Sequence, residues 1–264
     1  MSFIRHICLM VVLACSGLAY ASCGYAAAAQ SPAAQLEALL KEHPELILDV
    51  LRKHSVELLD ILQDASEKRR SSTLVKQWEQ DMLKPKKVNL VGRPEGGAKD
   101  APVTIVAYSD FLCAYCYKAA FTVGNLMKNY SGKIRFIFKQ TPKSEAGRVA
   151  GAWFLAAYRM DKAKGWKMYA LSFDRQKEVE ASPDATMRAI AREVGLDAAK
   201  LESAMKAQFK EFGDMMDADA QEADALGFVG TPYFLVNDLV VRGALSLEDF
   251  SKAVDMALAK KAGR

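Results

Sequence analysis

The sequence is poor in cysteine and histidine, which restricts the chemistry open to the chain. It has five cysteines and three histidines among 264 residues. The histidines are His6, His43 and His54, so none follows residue 54. A Cys–His peptidase needs a histidine base beside its nucleophile, and a Cys/His zinc site needs imidazole ligands. The part of the chain that contains Cys113 and Cys116 supplies neither.

Long apolar runs are scarce as well. The run at residues 7–21 is shorter than the roughly 20 residues that a bilayer span requires. Arg5 precedes it, and small residues that suit cleavage follow at Ala21 or Ala29. We therefore predict a cleaved signal peptide over residues 1–29. A retained membrane anchor and a lipoprotein modified at Cys15 or Cys23 are the alternatives.

Export leaves few cysteines in the mature chain. Three of them lie in or beside the predicted signal: Cys8, Cys15 and Cys23. Only Cys113 and Cys116 would remain after cleavage at Ala29. A bridge across so short a loop adds little stability, so two thiols in an oxidising compartment indicate redox chemistry. We predict no cofactor and no metal site, although two thiolates could bind Cu(I) or Zn(II) weakly.

The composition describes a globular chain of mild charge. Hydrophobic residues make up 51% and charged residues 26%, with a formal net charge of +4. Basic clusters occur at residues 69–70 and 84–87, but no aromatic stacking platform accompanies them. We interpret these clusters as solvated helix ends and expect no nucleic-acid partner.

Residues 30–83 carry a helical pattern with a narrow apolar stripe. Pro44 fits the first turn of a helix. The stripe repeats at spacings of four and three: Ile47, Leu51, His54, Leu58, Ile61 and Ala65. After a polar run the pattern resumes at Val75, Trp78 and Met82. Such a heptad-like stripe indicates an oligomerisation segment, and a helical hairpin packed on the main domain is the alternative. Residues 84–101, rich in Lys, Pro and Gly, are predicted to be a linker.

Residues 102–264 show the pattern of an α/β domain. Strands, helices and breaks alternate in the following order: strand Val103–Tyr108, the cysteine pair, helix Cys116–Tyr130, strand Lys133–Lys139, a helical stretch over about 141–226 with breaks near Gly165, Ser182-Pro183 and Gly195–Asp197, strands Tyr233–Val236 and Leu239–Arg242, and helix Leu247–Leu258. A Cys-x-x-C in this setting is a redox signal. We predict a thioredoxin-like fold with an inserted helical domain, preceded by an all-helical N-terminal extension.

The positions of the two cysteines predict different roles. Cys113 is predicted to begin a helix, where unsatisfied backbone N–H groups and the positive dipole end stabilise a thiolate. A thiolate is the species that attacks a disulfide. Cys116, one helical turn further, should be more buried and should resolve the mixed disulfide.

Two segments resemble the DsbA-like family of periplasmic disulfide oxidoreductases. They are residues 103–116 (VTIVAYSDFLCAYC) and 230–237 (GTPYFLVN), and the resemblance covers about residues 88–262. It implies that Cys113 is the nucleophile and Cys116 the resolving thiol. It also implies a cis Thr231-Pro232 bond, with Pro232 facing the cysteines, and substrate contacts by Thr231, Ala114 and Tyr115.

One position departs from the family pattern. Many relatives have a carboxylate six residues before the first cysteine, where this chain has Ala107. Proton handling at Cys116 would then fall to water or to another residue. Asp110 is near in sequence, but we interpret it as a structural turn residue.

The helical extension resembles that of oligomeric DsbA-like proteins of the ScsC type, which tend toward isomerase activity. The resemblance implies a periplasmic disulfide isomerase that forms a homo-oligomer through residues 30–83. Its partners would be exported client proteins with cysteines and a membrane redox partner that resets the thiol pair. A DsbA-type oxidase and a periplasmic chaperone or copper-handling thiol protein are the alternatives.

Overall fold

A computed structural model describes residues 31–263, which form two compact units, residues 31–67 and residues 68–263. The predicted signal peptide, with Cys8, Cys15 and Cys23, lies outside the described residues. The boundary between the units falls inside a long helix, Ser55–Asp81.

The first unit is helical and leaves most of its large apolar side chains exposed. It comprises α1 (Pro32–Glu42), α2 (Pro44–Lys53) and the first half of α3 (Ser55–Asp81). A proline occupies the first turn of both α1 and α2, as predicted for Pro44. Apolar side chains exposed to solvent are Leu36, Leu39, Leu46, Ile47, Leu48, Val50, Leu51, Val56, Leu59, Ile61 and Leu62.

The second unit is built on a five-stranded sheet with strand order β1-β3-β2-β4-β5. The strands are β1 (Glu95–Gly97), β2 (Val103–Ser109), β3 (Ile134–Gln140), β4 (Tyr233–Val236) and β5 (Leu239–Arg242). Strands β2 and β3 are parallel, and the other neighbouring pairs are antiparallel. Asn237 turns the chain between β4 and β5 with a φ of 52°, a left-handed conformation that asparagine tolerates better than most residues.

Alternation along the strands divides the core between the two faces of the sheet. Ile105 and Ala107 of β2 belong to a large cluster, whereas Val106 and Tyr108 belong to a smaller one on the opposite face. Helix α4 (Ala114–Asn129) follows β2, and α11 (Leu247–Ala262) closes the chain against α4, β2, β4 and β5. The predicted strands and the helix after the cysteines agree with the structure to within about two residues, the usual uncertainty of element ends. The closing helix continues beyond the predicted Leu258 to Ala262.

Six helices between β3 and β4 form the predicted insert. They are α5 (Glu145–Met160), α6 (Lys162–Asp174), α7 (Gln176–Ala181), α8 (Pro183–Glu193), α9 (Ala198–Ala207) and α10 (Phe209–Ala225). The break predicted near Gly165 lies at Asp161, between α5 and α6, and Gly165 itself lies inside α6. A Cβ atom there would lie 2.6 Å from the Cα of Tyr158. Glycine is needed at this position for close packing of α6 on α5, not for a turn.

Residues 68–83 pack within the second unit, which differs from the predicted extent of the N-terminal segment. The Trp78 side chain is 0% exposed, and its indole N–H donates to the Val240 carbonyl at 3.0 Å. The Arg70 guanidinium donates to the Asp249 carboxylate at 2.5 Å. Trp78 continues the apolar spacing of the stripe, but its side chain belongs to the core.

The predicted linker contains structure as well. Strand β1 lies within residues 84–101 and pairs with β3, so that Glu95 is opposite Ile137. The glycines of β1 allow it to lie close to β3. A Cβ atom on Gly97 would lie 2.2 Å from the Ile134 carbonyl oxygen. Gly97 also has a φ of 77°, which favours glycine.

A buried ionic cluster lies where β3 ends. The Lys139 side chain is fully buried and contacts the carboxylates of Glu222 and Asp219. The Arg93 guanidinium donates to Asp219, and the Tyr108 hydroxyl donates to Glu222 at 2.5 Å. Two cations and two carboxylates thus balance each other, as buried charges must.

Candidate redox site

Cys113 lies at the N-cap of α4. A tight turn precedes it, in which the Cys113 N–H donates to the Asp110 carbonyl at 3.2 Å. Its own carbonyl accepts the first helical hydrogen bond, from the Tyr117 N–H at 3.1 Å. The backbone is extended at Cys113, with φ −86° and ψ 120°, so helical geometry begins only at Ala114. The side chain is half-buried and therefore open to attack from solvent.

The surroundings of Cys113 favour its thiolate. A hydrogen bond from the Cys116 thiol is the largest influence on its pKa, and partial burial opposes it. The Thr231 side chain and the backbone N–H groups of Cys116 and Tyr115 add further stabilisation. Together they lower the pKa of Cys113 from its ordinary 9.0 to about 5. The direction agrees with the sequence-based prediction, but the main donor is Cys116 rather than the helix terminus.

Cys116 is shielded from solvent, whereas Cys113 is partly exposed. Only 1% of Cys116 is exposed, one helical turn inside α4. Burial raises its pKa, and its hydrogen bond to Cys113 raises it further. Because its proton is held while Cys113 ionises, the two thiols are suited to act in succession.

The Thr231-Pro232 loop lies beside the thiols. The peptide bond between the two residues is cis, as the family resemblance implies. The Thr231 carbonyl accepts from the Cys113 thiol at 3.5 Å. Residues 113, 116 and 231, which are far apart in sequence, are therefore brought together, and Pro232 follows directly.

Residues next to the thiols expose apolar surface. The Tyr115 side chain is 64% exposed, and the Lys118 ammonium lies 5.8 Å from the centre of its ring. Ala114 is also exposed. Val229, two residues before Thr231, is 86% exposed. Both segments of the site thus carry an exposed apolar side chain that can contact a polypeptide.

Asp110 is a turn residue, as interpreted from the sequence. Its carboxylate accepts from the Leu112 and Lys143 N–H groups, both at 3.0 Å. These bonds occupy both oxygens in fixing the turn before Cys113. Ala107 pairs with Phe138 and Phe234 in the middle of the sheet, so no carboxylate stands there.

Sequence reasoning missed Gln176, which the insert places on the active-site turn. Its side-chain Nε2 donates to the Phe111 carbonyl at 2.5 Å and to the Cys113 carbonyl at 3.0 Å. Gln176 begins α7, 63 residues after Cys113. Nothing in the local sequence marks it, because only the fold of the insert brings it to the turn.

Residues 31–263 contain no group of three or more His, Cys, Asp or Glu side chains arranged to hold a metal ion. Within the same residues, no helix combines the length and the hydropathy that a membrane span needs.

Comparison with known sequences places the site in a known context. The profile of a family described as Thioredoxin matches residues 89–256. The curated relatives include the Na(+)/H(+) antiporter NhaA 1 of Salinispora arenicola, which is 29% identical over 164 residues. That match covers 62% of this chain and 24% of the relative. The chain thus spans about a quarter of the length of these relatives.

Solved structures share the fold. A thioredoxin-like oxidoreductase from Silicibacter pomeroyi DSS-3 has a TM-score of 0.55 at 27% identity, over 64% of this chain and 94% of that one. Proteus mirabilis ScsC in a transitional conformation has a TM-score of 0.54 at 18% identity, over 88% of this chain and 99% of that one. The predicted thioredoxin-like α/β fold with its helical insert is confirmed.

Proposed function

Because this chain belongs to the thioredoxin family, we propose that it is a periplasmic thiol–disulfide oxidoreductase that isomerises disulfides in exported proteins. The predicted resemblance to DsbA-like and ScsC-type proteins is confirmed at the level of the fold. The predicted enzyme class, an oxidoreductase, is confirmed by the family match and by the likeness to the Silicibacter enzyme.

The pairing of an open, acidic thiol with a buried, protonated one carries the proposal. At neutral pH Cys113 is a thiolate, since its pKa is lowered to about 5. Cys116, 1% exposed, keeps its proton. One nucleophile is therefore ready for a client, while the second thiol is held back until a mixed disulfide has formed.

The exchange steps follow from this arrangement. The Cys113 thiolate attacks one sulfur of a client disulfide, a bond forms between them, and the other client sulfur leaves as a thiolate. In isomerisation that client thiolate attacks a second client disulfide, and the thiolate released there displaces Cys113. If the rearrangement within the client stalls, Cys116 gives up its proton and attacks the Cys113 sulfur of the mixed disulfide. This step releases a client dithiol and leaves Cys113 and Cys116 joined by a disulfide.

Client binding is supported by the exposed residues around the thiols. Tyr115, two residues after Cys113, and Val229, two residues before Thr231, are both exposed. Exposed apolar patches on a protein surface often mark sites where another molecule binds. An unfolded polypeptide that exposes a cysteine would cover them during the reaction.

The N-terminal helices support an isomerase that works as an oligomer. Ile47, Leu51 and Ile61 of the predicted stripe are exposed. Burial of this stripe between copies of the chain would hold several active sites around one client while its disulfides rearrange. A membrane-bound reductant would return an oxidised pair to the dithiol state.

Refolding of a scrambled multi-disulfide substrate tests the activity. We expect the reduced full-length protein to restore native pairing, and Cys113→Ser to lose this activity. Removal of residues 31–67 keeps Trp78 in place and should reduce the number of subunits, obtained from the mass measured by light scattering, and abolish isomerisation, while insulin reduction continues. An unchanged number of subunits would exclude oligomerisation through these residues. Full-length protein without thiol exchange would refute the function itself.

A DsbA-type oxidase is the second candidate, and the acidity of Cys113 favours it. A stabilised thiolate favours the reduced enzyme, so its disulfide is readily given to clients. The thiol state trapped in cells separates the two: an isomerase is kept reduced and an oxidase is kept oxidised.

A further inference from the structure

The helical insert reaches the active-site turn through one polar side chain. Gln176 stands at the first position of α7, immediately after the junction at Arg175. Its Nε2 lies within hydrogen-bond distance of two backbone carbonyls, those of Phe111 and Cys113. These carbonyls lie on either side of Leu112 in the turn that leads into α4.

The two acceptors determine how the amide is oriented. A glutamine Nε2 carries two hydrogens, and each can serve one of the two carbonyls. The opposite orientation would place the amide oxygen against both carbonyl oxygens. The bonds therefore use the full donor capacity of the Gln176 side chain.

Aromatic packing anchors the same turn from the insert. The Phe111 ring is buried and lies 5.0 Å from the ring of Phe173 and 5.9 Å from that of Tyr169, measured between centroids. Both partners belong to α6. The turn is thus held by the insert through an apolar side chain and through its carbonyls, and Gln176 makes the contact nearest to the thiols.

We propose that Gln176 is a positioning residue, which holds the Phe111–Cys113 turn so that the first N–H groups of α4 stay directed at the Cys113 sulfur. It touches neither client nor sulfur. The Cys113 carbonyl accepts from Gln176 and from the Tyr117 N–H together, so the side chain clamps the residue that carries the thiolate. Without the Gln176 hydrogen bonds the first turn of α4 can fray. The N–H groups of Tyr115 and Cys116 would then donate to the Cys113 thiolate for a smaller fraction of the time. The role rests on the proposed function for its purpose, but the geometry can be tested without a client.

Titration of the Cys113 thiolate tests the role directly. Gln176→Met keeps the length of the side chain and removes both donors, so the pKa of Cys113 should rise by about one unit, a tenfold change in proton affinity. The equilibrium constant for reduction of the enzyme disulfide by glutathione should fall by a similar factor. Gln176→Glu, which adds an acceptor and a negative charge, should raise the pKa at least as far.

Gln77 supplies a matched control. Its Nε2 also donates to a backbone carbonyl, that of Val240, at 3.3 Å. Gln77→Met removes a comparable bond away from the thiols, so the thiolate titration should match that of the wild type. A Gln176→Met protein that is folded but has an unchanged thiolate pKa and glutathione equilibrium would overturn the proposal.

The unmodified protein provides a test that does not depend on the folding of a variant. In nuclear magnetic resonance spectra the Gln176 side-chain amide signals should shift with pH at the midpoint of Cys113 ionisation, because the amide is bonded to that residue's carbonyl. Signals that do not follow this titration would also overturn the proposal. If the wild type shows these shifts but exchanges no disulfides, the proposed function fails while the positioning role stands.

Discussion

Ionisation of Cys113 should make the reduced protein more stable as the pH rises. The pKa of Cys113 is about 5 in the folded protein and 9.0 ordinarily. Between these values the unfolded chain binds a proton at this thiol that the folded protein does not. Stability therefore rises with pH across this interval, and the contribution is lost as the pH falls through the folded value.

The size of this stabilisation follows from the pH range over which only the folded protein is ionised at Cys113. The range from about pH 5 to pH 8 spans about three pKa units, which corresponds to a rise of ~4 kcal/mol in unfolding free energy in the absence of screening. Cys113 is only half-buried, so solvent screening must reduce this value, by about half. Between about pH 5 and pH 8, the unfolding free energy of the reduced wild type should therefore increase by about 2 kcal/mol more than that of Cys113→Ser.

Urea unfolding under reducing conditions measures the difference. The tryptophans are Trp78, Trp153 and Trp166, and all three lie in residues 68–263, so their fluorescence reports on the unit that holds the thiols. Carboxylates also titrate at the acidic end, but they do so equally in wild type and Cys113→Ser. Subtraction of the two curves isolates the thiol. Parallel stability profiles in the two proteins would refute the argument from thiolate stabilisation.

Three further substitutions test the site and the packing. Cys116→Ser should accumulate mixed disulfides with clients on non-reducing gels, because the thiol that releases Cys113 is gone. Trp78→Ala should lower the unfolding free energy by about 3–5 kcal/mol in urea titrations, since a fully buried indole is lost. Gly165→Ala should cost about 1–3 kcal/mol by the same measurement, because its methyl group would meet the Tyr158 backbone at 2.6 Å.

Each of these substitutions has a control. Cys113→Ser should trap nothing, and traps in that variant alone would reverse the two roles. Trp78→Phe keeps most of the packing, and the Val240 carbonyl still accepts from Gln77 at 3.3 Å, so the cost should be about 1 kcal/mol. Gly124→Ala in α4 meets no atom within 4 Å and should stabilise the helix by about 0.5–1 kcal/mol. Equal effects at Gly165 and Gly124 would contradict the packing argument.

Local pattern was sufficient for most elements of the second unit. Strand β2 is an unbroken run of β-branched and apolar residues, and β4 and β5 flank an asparagine turn, so period and turn chemistry predict them without tertiary information. Cys113 at a helix start is a similar local prediction. The break near Gly165 was displaced from its true position at Asp161, because a glycine needed for packing and a glycine needed for a turn have the same sequence signal.

Other features depend on contacts between residues far apart in the chain. Trp78 continues the apolar spacing of the N-terminal stripe, and only its contact with the Val240 carbonyl at 3.0 Å assigns it to the core. Strand β1 has three residues, two of them glycine, and exists because β3 offers a free edge. A three-residue strand carries no periodicity that could be read from the sequence.

The sequence by itself determined the thiol pair, the helix that begins at it and the strand before it, since spacing and residue type carry these features. The Thr231-Pro232 loop as a companion of the pair came from the family resemblance of residues 230–237. The tertiary structure decided how the pair is tuned. Cys116 and Thr231 form hydrogen bonds with the Cys113 sulfur. Gln176, 63 residues further along the chain, donates to the Cys113 carbonyl. Hydrogen bonds act over about 3 Å, so their partners are set by how the chain folds back on itself and not by distance along it.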